Sequence, residues 1–207
     1  MKNLSAARGK WIRYETGNFI YLCLLSEAMR KTSNEELNRL SVDAFREAEK
    51  SPVILVLDNI RSLHNVGSAF RTADAFRTEA LFLCGITGTP PDREIRKTAL
   101  GATETVSWRY FQSTLLAITE LRSAGYRICS VEQADEALSL ELFLPEKDEK
   151  LALVFGNEVK GVDADIVALS DIVLEIPQSG TKHSLNVSVS IGIVLWEISQ
   201  KIGRFVR

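Results

Sequence analysis

Residues 184–198 read SLNVSVSIGIVLWEI, and two periodicities compete in them. From Val187 to Ile193 apolar side chains alternate with small ones, the period-two signature of a half-buried strand. Yet Val187, Ile191, Val194, Leu195 and Ile198 also lie on one face of an α-helix. Length decides for the helix. The apolar pattern runs on through Trp196, Ile198 and Ile202, too far for a buried strand. Ser184 or Asn186 supplies an N-cap, whose side-chain oxygen accepts an otherwise unpaired backbone N–H. Val189, Ile193 and Trp196 form a second stripe beside the first, so this helix is expected to be covered on most sides. Ser188 and Gly192, four residues apart, leave a shallow seam where another backbone can approach.

Upstream of this helix, apolar strands alternate with amphipathic helices. PVILVLD (52–58), ALFLC (80–84), YRICSV (126–131), LALVFG (151–156) and DIVLEIP (171–177) read as strands, with a further short one at Thr105–Trp108. Between them fall helices at about 65–76, at REIRKTAL (93–100), at 113–125 and at DADIVALS (163–170). That alternation predicts an α/β fold, a parallel sheet with helices on both faces. Residues 51–207 are expected to form this domain. Residues 1–50 read as an N-terminal helical extension, with one or two short helices over Ser33–Lys50 carrying a Leu37–Leu40–Ala44 stripe.

The totals exclude several classes. With 207 residues, 45% of them hydrophobic and 25% charged, the chain suits one globular core. Cys23, Cys84 and Cys129 are odd in number and far apart, which argues against a disulfide framework or thiolate zinc site and for a reducing cytoplasm. His64 and His183 are the only histidines, too few for a histidine-built metal centre, and no metal is expected. No apolar run reaches the ~18 residues of a membrane span. FIYLCLL (19–25) loosely mimics a signal peptide, but the run is short and Glu15 precedes it. Met29 is the only other methionine, so residues 1–28 could lie upstream of the true start. A net charge of −2 advertises no global field for nucleic acid, although a local basic patch suffices to bind it.

Chemistry is sought at three polar, glycine-bearing strand-to-helix junctions, because ligands of open α/β sheets bind beyond the carboxyl ends of the strands. They are DNIRSLHNVGSAFR (58–71), VFGNEVKGV (154–162) and IPQSGTKHSLN (176–186). Neither a G-x-G-x-x-G after a strand nor a P-loop is present. On the first helix Gly67 and Arg71 share the face opposite the apolar one. A ligand could then lie against Gly67 beneath the Arg71 fork, which suits phosphate or carboxylate. The plainer reading is a surface Arg71–Asp74 pair, with Asn59 or Asn65 as caps and the other junctions as ordinary turns.

Taken together, NVGSAFRTADAF (65–76), FGNEVKGV (155–162), and Ile176-Pro177 followed by SLNVSVS (184–190) resemble the three motifs of SpoU-type RNA methyltransferases. RKTALGA (96–102) matches a further segment of that family, and the resemblance covers roughly residues 51–207. It implies a SPOUT fold with a C-terminal deep trefoil knot, otherwise nearly absent from proteins. It also implies S-adenosylmethionine as cofactor, RNA (tRNA or rRNA) as substrate and a homodimer. By the same resemblance, cofactor contacts fall on Gly156, Ile176 and Leu185, with Phe155, Asn157, Gly161, Pro177 and Asn186 around them. Gln178 stands where the family often has methionine.

The implied reaction methylates a ribose 2′-oxygen. Arg71 matches the family's catalytic arginine, with Asn65, Glu158, Ser184 and Asn186 shaping the site and Glu158 the most structural of them. Arg61, His64, Arg93, Arg96, Lys97 and Lys182 are the candidates for RNA backbone contact. A non-catalytic RNA-binding module on the same fold is the alternative, and a small-molecule methyltransferase a more distant one. The sequence names neither the RNA nor the nucleotide.

Overall fold

The computed structural model describes residues 9–13, 19–23, 31–33, 36, 39–181 and 184–203. The chain divides into two compact units, 1–40 and 41–207. In the first, β1 (Gly9–Arg13) pairs antiparallel with β2 (Phe19–Cys23). The expected helical extension is therefore corrected: what is described of its first part is a strand ribbon. Among the described residues the α-helix of this stretch is α1 (Val42–Glu47), in the second unit, capped by Ser41. Leu37 lies outside the described residues, and Leu40 is exposed.

The second unit is an α/β fold around a seven-stranded, wholly parallel sheet. Its chain order is β3 (Ser51–Asp58), α2 (Leu63–Ala75), β4 (Thr78–Cys84), α3 (Arg93–Ala99), α4 (Ala102–Thr105) and β5 (Trp108–Phe111). There follow α5 (Thr114–Ser123), β6 (Arg127–Val131), β7 (Leu138–Ser139), β8 (Leu151–Phe155), α6 (Ala164–Leu169), β9 (Ile172–Glu175) and α7 (Val187–Lys201). The strands stand in the order β5-β4-β3-β8-β6-β9-β7. The short strand expected at 105–108 falls instead at β5, because Ala102–Thr105 closes a helical turn whose Thr105 hydroxyl is held by Asp74.

Two apolar layers cover the sheet, as strands buried on both faces require. Along β3, Val53, Leu55 and Leu57 enter one core with α2, α3 and α7, while Ile54 and Val56 enter the other with α5 and α6. In α7 the first apolar stripe is the buried one: Ile191, Val194 and Ile198 are at most 1% exposed. The second is open, with Val189 at 48%, Ile193 at 37% and Trp196 at 53% exposure. Asn186 is the cap, accepting from the Ser188 N–H at 2.9 Å.

Because all seven strands run the same way, the loops after β3, β8, β6 and β9 emerge side by side at one edge. β9 lies beyond β6, whereas α7 packs on α2. The described residues between β9 and α7, 176–181 and 184–186, therefore lie across the ends of β6 and β8.

Candidate functional site

That crossing encloses a cavity of about 330 Å³. Phe155, Gly156, Asn157, Glu158 and Gly161 line it from the β8 turn, and Ile176, Gln178, Ser184, Leu185 and Asn186 from the segment between β9 and α7.

The β8 turn is built by glycine and asparagine. Asn157 and Gly161 exchange backbone hydrogen bonds, 2.9 and 2.8 Å, and fold the turn back on itself. A Cβ on Gly156 would lie 1.9 Å from the Val162 nitrogen, so the turn closes only on glycine. Gly161 has φ +72, a left-handed conformation that glycine adopts without strain. The buried Asn157 side chain accepts from the Val159 N–H at 2.9 Å and donates to the Asn59 carbonyl at 2.7 Å, tying the turn to the end of β3.

Glu158 joins the same turn to the start of α2. Its carboxylate accepts from the N–H groups of Arg61 (3.0 Å) and Ser62 (3.1 Å) and from the Asn65 amide (3.0 Å). Partial desolvation of this exposed residue's carboxyl pulls it upward, but donation from Arg61, its own N–H, Asn65 and Ser62 outweighs that and holds the group below its ordinary value. Asn65 in turn accepts from the Asn186 amide at 3.3 Å, and Asn186 accepts from the Ser188 hydroxyl at 2.6 Å. One hydrogen-bonded chain, Glu158–Asn65–Asn186–Ser188, thus links residues from all three polar junctions.

Other expected residues stand apart. Pro177 and Arg71 do not line the cavity. Arg71 is exposed on α2, and among the described residues it has no ion-pair or hydrogen-bond partner. The Arg71–Asp74 pair does not form, since Asp74 is engaged by Thr105. Gly67 is corrected outright. It is buried beneath α3, where a Cβ would stand 2.0 Å from Thr98 Oγ1 and 2.4 Å from the Ile95 carbonyl oxygen. The missing side chain seats a helix, not a ligand.

Of the basic candidates, Arg61, Arg93 and Arg96 are exposed. His64 and Lys97 converge instead on Glu94, at 2.7 and 3.4 Å, and His64 first, then Lys97, holds that carboxyl below its ordinary value. Lys182 lies outside the described residues.

Val131, Glu132 and Gln133, which the sequence reading passed over, line the cavity from the end of β6. The only signal for them was a polar pair directly after an apolar strand. Among the described residues no cluster of three or more His, Cys, Asp and Glu side chains could hold a metal ion. Burial pushes the Cys84 and Cys129 thiols up to about 12, which removes them as nucleophiles. A larger hollow of about 650 Å³ opens beside α5 and α6. Its one buried carboxylate, Asp58, is occupied by Asn59, Thr114 and the Asp163 N–H. No helix of the described residues is long and apolar enough to cross a membrane.

Comparison with known proteins adds three likenesses and a family. The family model for the SpoU rRNA methylase family matches residues 52–196. The chain is 32% identical over 155 residues to the 23S rRNA (guanosine-2′-O-)-methyltransferase RlmB of Neisseria meningitidis, covering 75% of this chain and 61% of that one. Its fold is similar to a TrmH/SpoU tRNA modifying enzyme of A. aeolicus, with a TM-score of 0.70, 25% identity, and 79% and 83% of the two chains covered. It is also similar to an AdoMet-bound rRNA methyltransferase from Sinorhizobium meliloti, with a TM-score of 0.68, 25% identity, and 75% and 59% covered. The chain therefore spans about three fifths of the Neisseria and Sinorhizobium proteins.

Proposed function

This chain belongs to the SpoU rRNA methylase family, and we propose that it transfers a methyl group from S-adenosylmethionine to a ribose 2′-hydroxyl of structured RNA, ribosomal or transfer. The observation that carries this reading is the Glu158–Asn65–Asn186 chain, which locks the three family motifs together at the mouth of one cavity.

The cavity fits the cofactor. Its volume is at the lower end of the range for small-molecule sites, about 300–1,000 Å³. Among the described residues its charged lining is two carboxylates, Glu132 and Glu158, which favours a ligand carrying positive charge. Leu185, Ile176 and Val131 offer apolar surface for a base, and the 155–161 turn offers backbone groups. When bound, S-adenosylmethionine supplies a methyl on a sulfonium, already activated for displacement.

What remains for the protein is alignment and proton handling. The Asn65–Asn186 contact fixes the start of α2 against the start of α7, and with it the helix that carries Arg71. An arginine is a poor base, because a guanidinium does not give up its proton in proteins. Arg71 acts by gripping the target phosphate and stabilising the developing alkoxide. Ser184 and Asn186 border the reacting face, and Glu158 acts through its hold on Asn65. Arg61, Arg93 and Arg96 meet the RNA backbone, and Lys182 adds a charge to the 176–186 segment.

The finer architecture belongs to the same proposal. A C-terminal knot is supported by the return of the chain from β9, beyond β6, to α7 packed on α2. A homodimer sealed by the open stripe of α7 is supported by the exposure of Val189, Ile193 and Trp196. A reducing, cytoplasmic setting fits the free, buried Cys84 and Cys129.

The test is tritium transfer from labelled S-adenosylmethionine to ribosomal and transfer RNA of a strain lacking the gene, followed by mapping of 2′-O-methyl groups. A single site absent from that strain and restored by the purified protein is expected. Transfer to a base atom, or to small molecules but no RNA, would refute the assignment.

A further inference from the structure

We infer that Glu132 is a further cofactor-binding residue, taking hydrogen-bond donors of the adenosyl ligand on its free lone pairs. The inference rests on the reading of the cavity as the S-adenosylmethionine site.

Glu132 follows β6, a central strand, and lines the cavity. Its backbone N–H is held by the Leu174 carbonyl at 3.1 Å, which fixes where the side chain starts. Oε1 accepts from the Gln133 N–H at 2.9 Å and Oε2 from the Val162 N–H at 2.9 Å. A Cβ on Gly161 would stand 2.1 Å from Oε2, so that glycine also clears the space the carboxylate occupies. The group is therefore held rigidly against the β8 turn.

An ionised carboxylate offers about four acceptor positions and no donor. Two are used by backbone N–H groups, and the side chain still lines the cavity. Whatever it meets there must donate. Glu158, the other charged group of the lining among the described residues, is already engaged by Arg61, Ser62 and Asn65. S-adenosylmethionine carries two sets of donors, the ribose 2′,3′-diol and the α-ammonium, and either satisfies the chemistry. A preorganised carboxylate costs little ordering on binding, so the contact should tell in full.

The test is Glu132→Gln, titrated by calorimetry or nuclear magnetic resonance with three ligands. Against S-adenosylmethionine, affinity should fall about tenfold or more, as expected for a charged hydrogen bond. Against 5′-methylthioadenosine, which keeps the diol and lacks the ammonium, an equal fall identifies the diol as the donor; unchanged affinity identifies the ammonium. Against 2′,3′-dideoxyadenosine, which has neither, the variant should match wild type. Equal weakening of all three ligands would show that the residue only holds the turn, and would overturn the inference. So would unchanged affinity for S-adenosylmethionine. If wild-type protein binds no S-adenosylmethionine, the proposed function falls instead.

Discussion

The replacement of Glu158 by glutamine separates holding the site from forming it. In the structure the carboxylate takes three protein donors, the N–H groups of Arg61 and Ser62 and the amide of Asn65. Glutamine keeps one carbonyl oxygen, which can still accept two of these. Its NH₂ must then face the remaining N–H, donor against donor. A buried hydrogen bond to a charge contributes about 1.5–3 kcal/mol. Glu158 is exposed, so water takes over part of the loss and about 1 kcal/mol is expected. For a chain of this size that is a fall of about 2–4 °C in the unfolding midpoint near neutral pH.

The pH dependence gives a second readout. The folded-state pKa of Glu158 is depressed, so its stabilisation is present above the unfolded value, about 4.3, and is lost as pH falls through the folded value. The gap between wild type and Glu158→Gln should therefore be full near neutrality, start to narrow as pH falls below the unfolded value, and close below the folded one. Methyl transfer should fall about tenfold, because a released Asn65 loosens the α2–α7 contact. Urea titrations from neutral to mildly acid pH, paired with tritium transfer, measure both. A gap that persists unchanged into acid would refute the hydrogen-bond argument, and full activity in a destabilised variant would refute the positioning role.

Arg71→Ala should lower methyl transfer at least a hundredfold, on the order of an oxyanion donor's loss, while calorimetry finds cofactor affinity within a fewfold. Joint loss of both would contradict the placement of Arg71 outside the cavity lining. Gly67→Ala should cost about 1–3 kcal/mol in thermal unfolding, since its methyl meets the backbone of α3; an unchanged midpoint would show that α3 shifts freely. Trp196→Glu should give folded monomers in sedimentation with little activity, and wild-type monomers fully active at micromolar concentration would remove the dimer from the proposal.

The sequence made the C-terminal helix and its neighbours legible because their signals are local. Asn186 caps α7, and the apolar run beyond Leu195 exceeds any strand of the sheet. The three motifs were legible for a different reason: glycines and asparagines at a strand end mark a turn whatever the sheet order. Gly67 was misread because its reason for being glycine lies on another helix, 28 residues on at Ile95 and 31 at Thr98. Glu132 was invisible for a related reason. A glutamate after a strand is ordinary until β6 is known to lie between β8 and β9, with the Val162 N–H facing it. The strand ribbon of β1 and β2 was missed where an apolar run was weighed as a leader and never as a strand.

Charge settles what composition alone left open. A net charge of −2 counts acids and bases together wherever they stand. At physiological salt, exposed charges act over only about 8 Å, so the local arrangement governs binding. Among the described residues, the two charged groups lining the cavity, Glu132 and Glu158, are anionic, while Arg61, Arg71, Arg93 and Arg96 are exposed on α2, α3 and the loop that leads into α2. On the proposed reading these serve opposite partners, a cationic cofactor held among carboxylates and a polyanionic substrate met by guanidinium groups. A strongly basic protein would gain RNA affinity everywhere on its surface, including where no methyl group can be delivered. On that reading Arg61, Arg71, Arg93 and Arg96 form one local cationic face for the RNA backbone, whatever the charge of the rest of the surface.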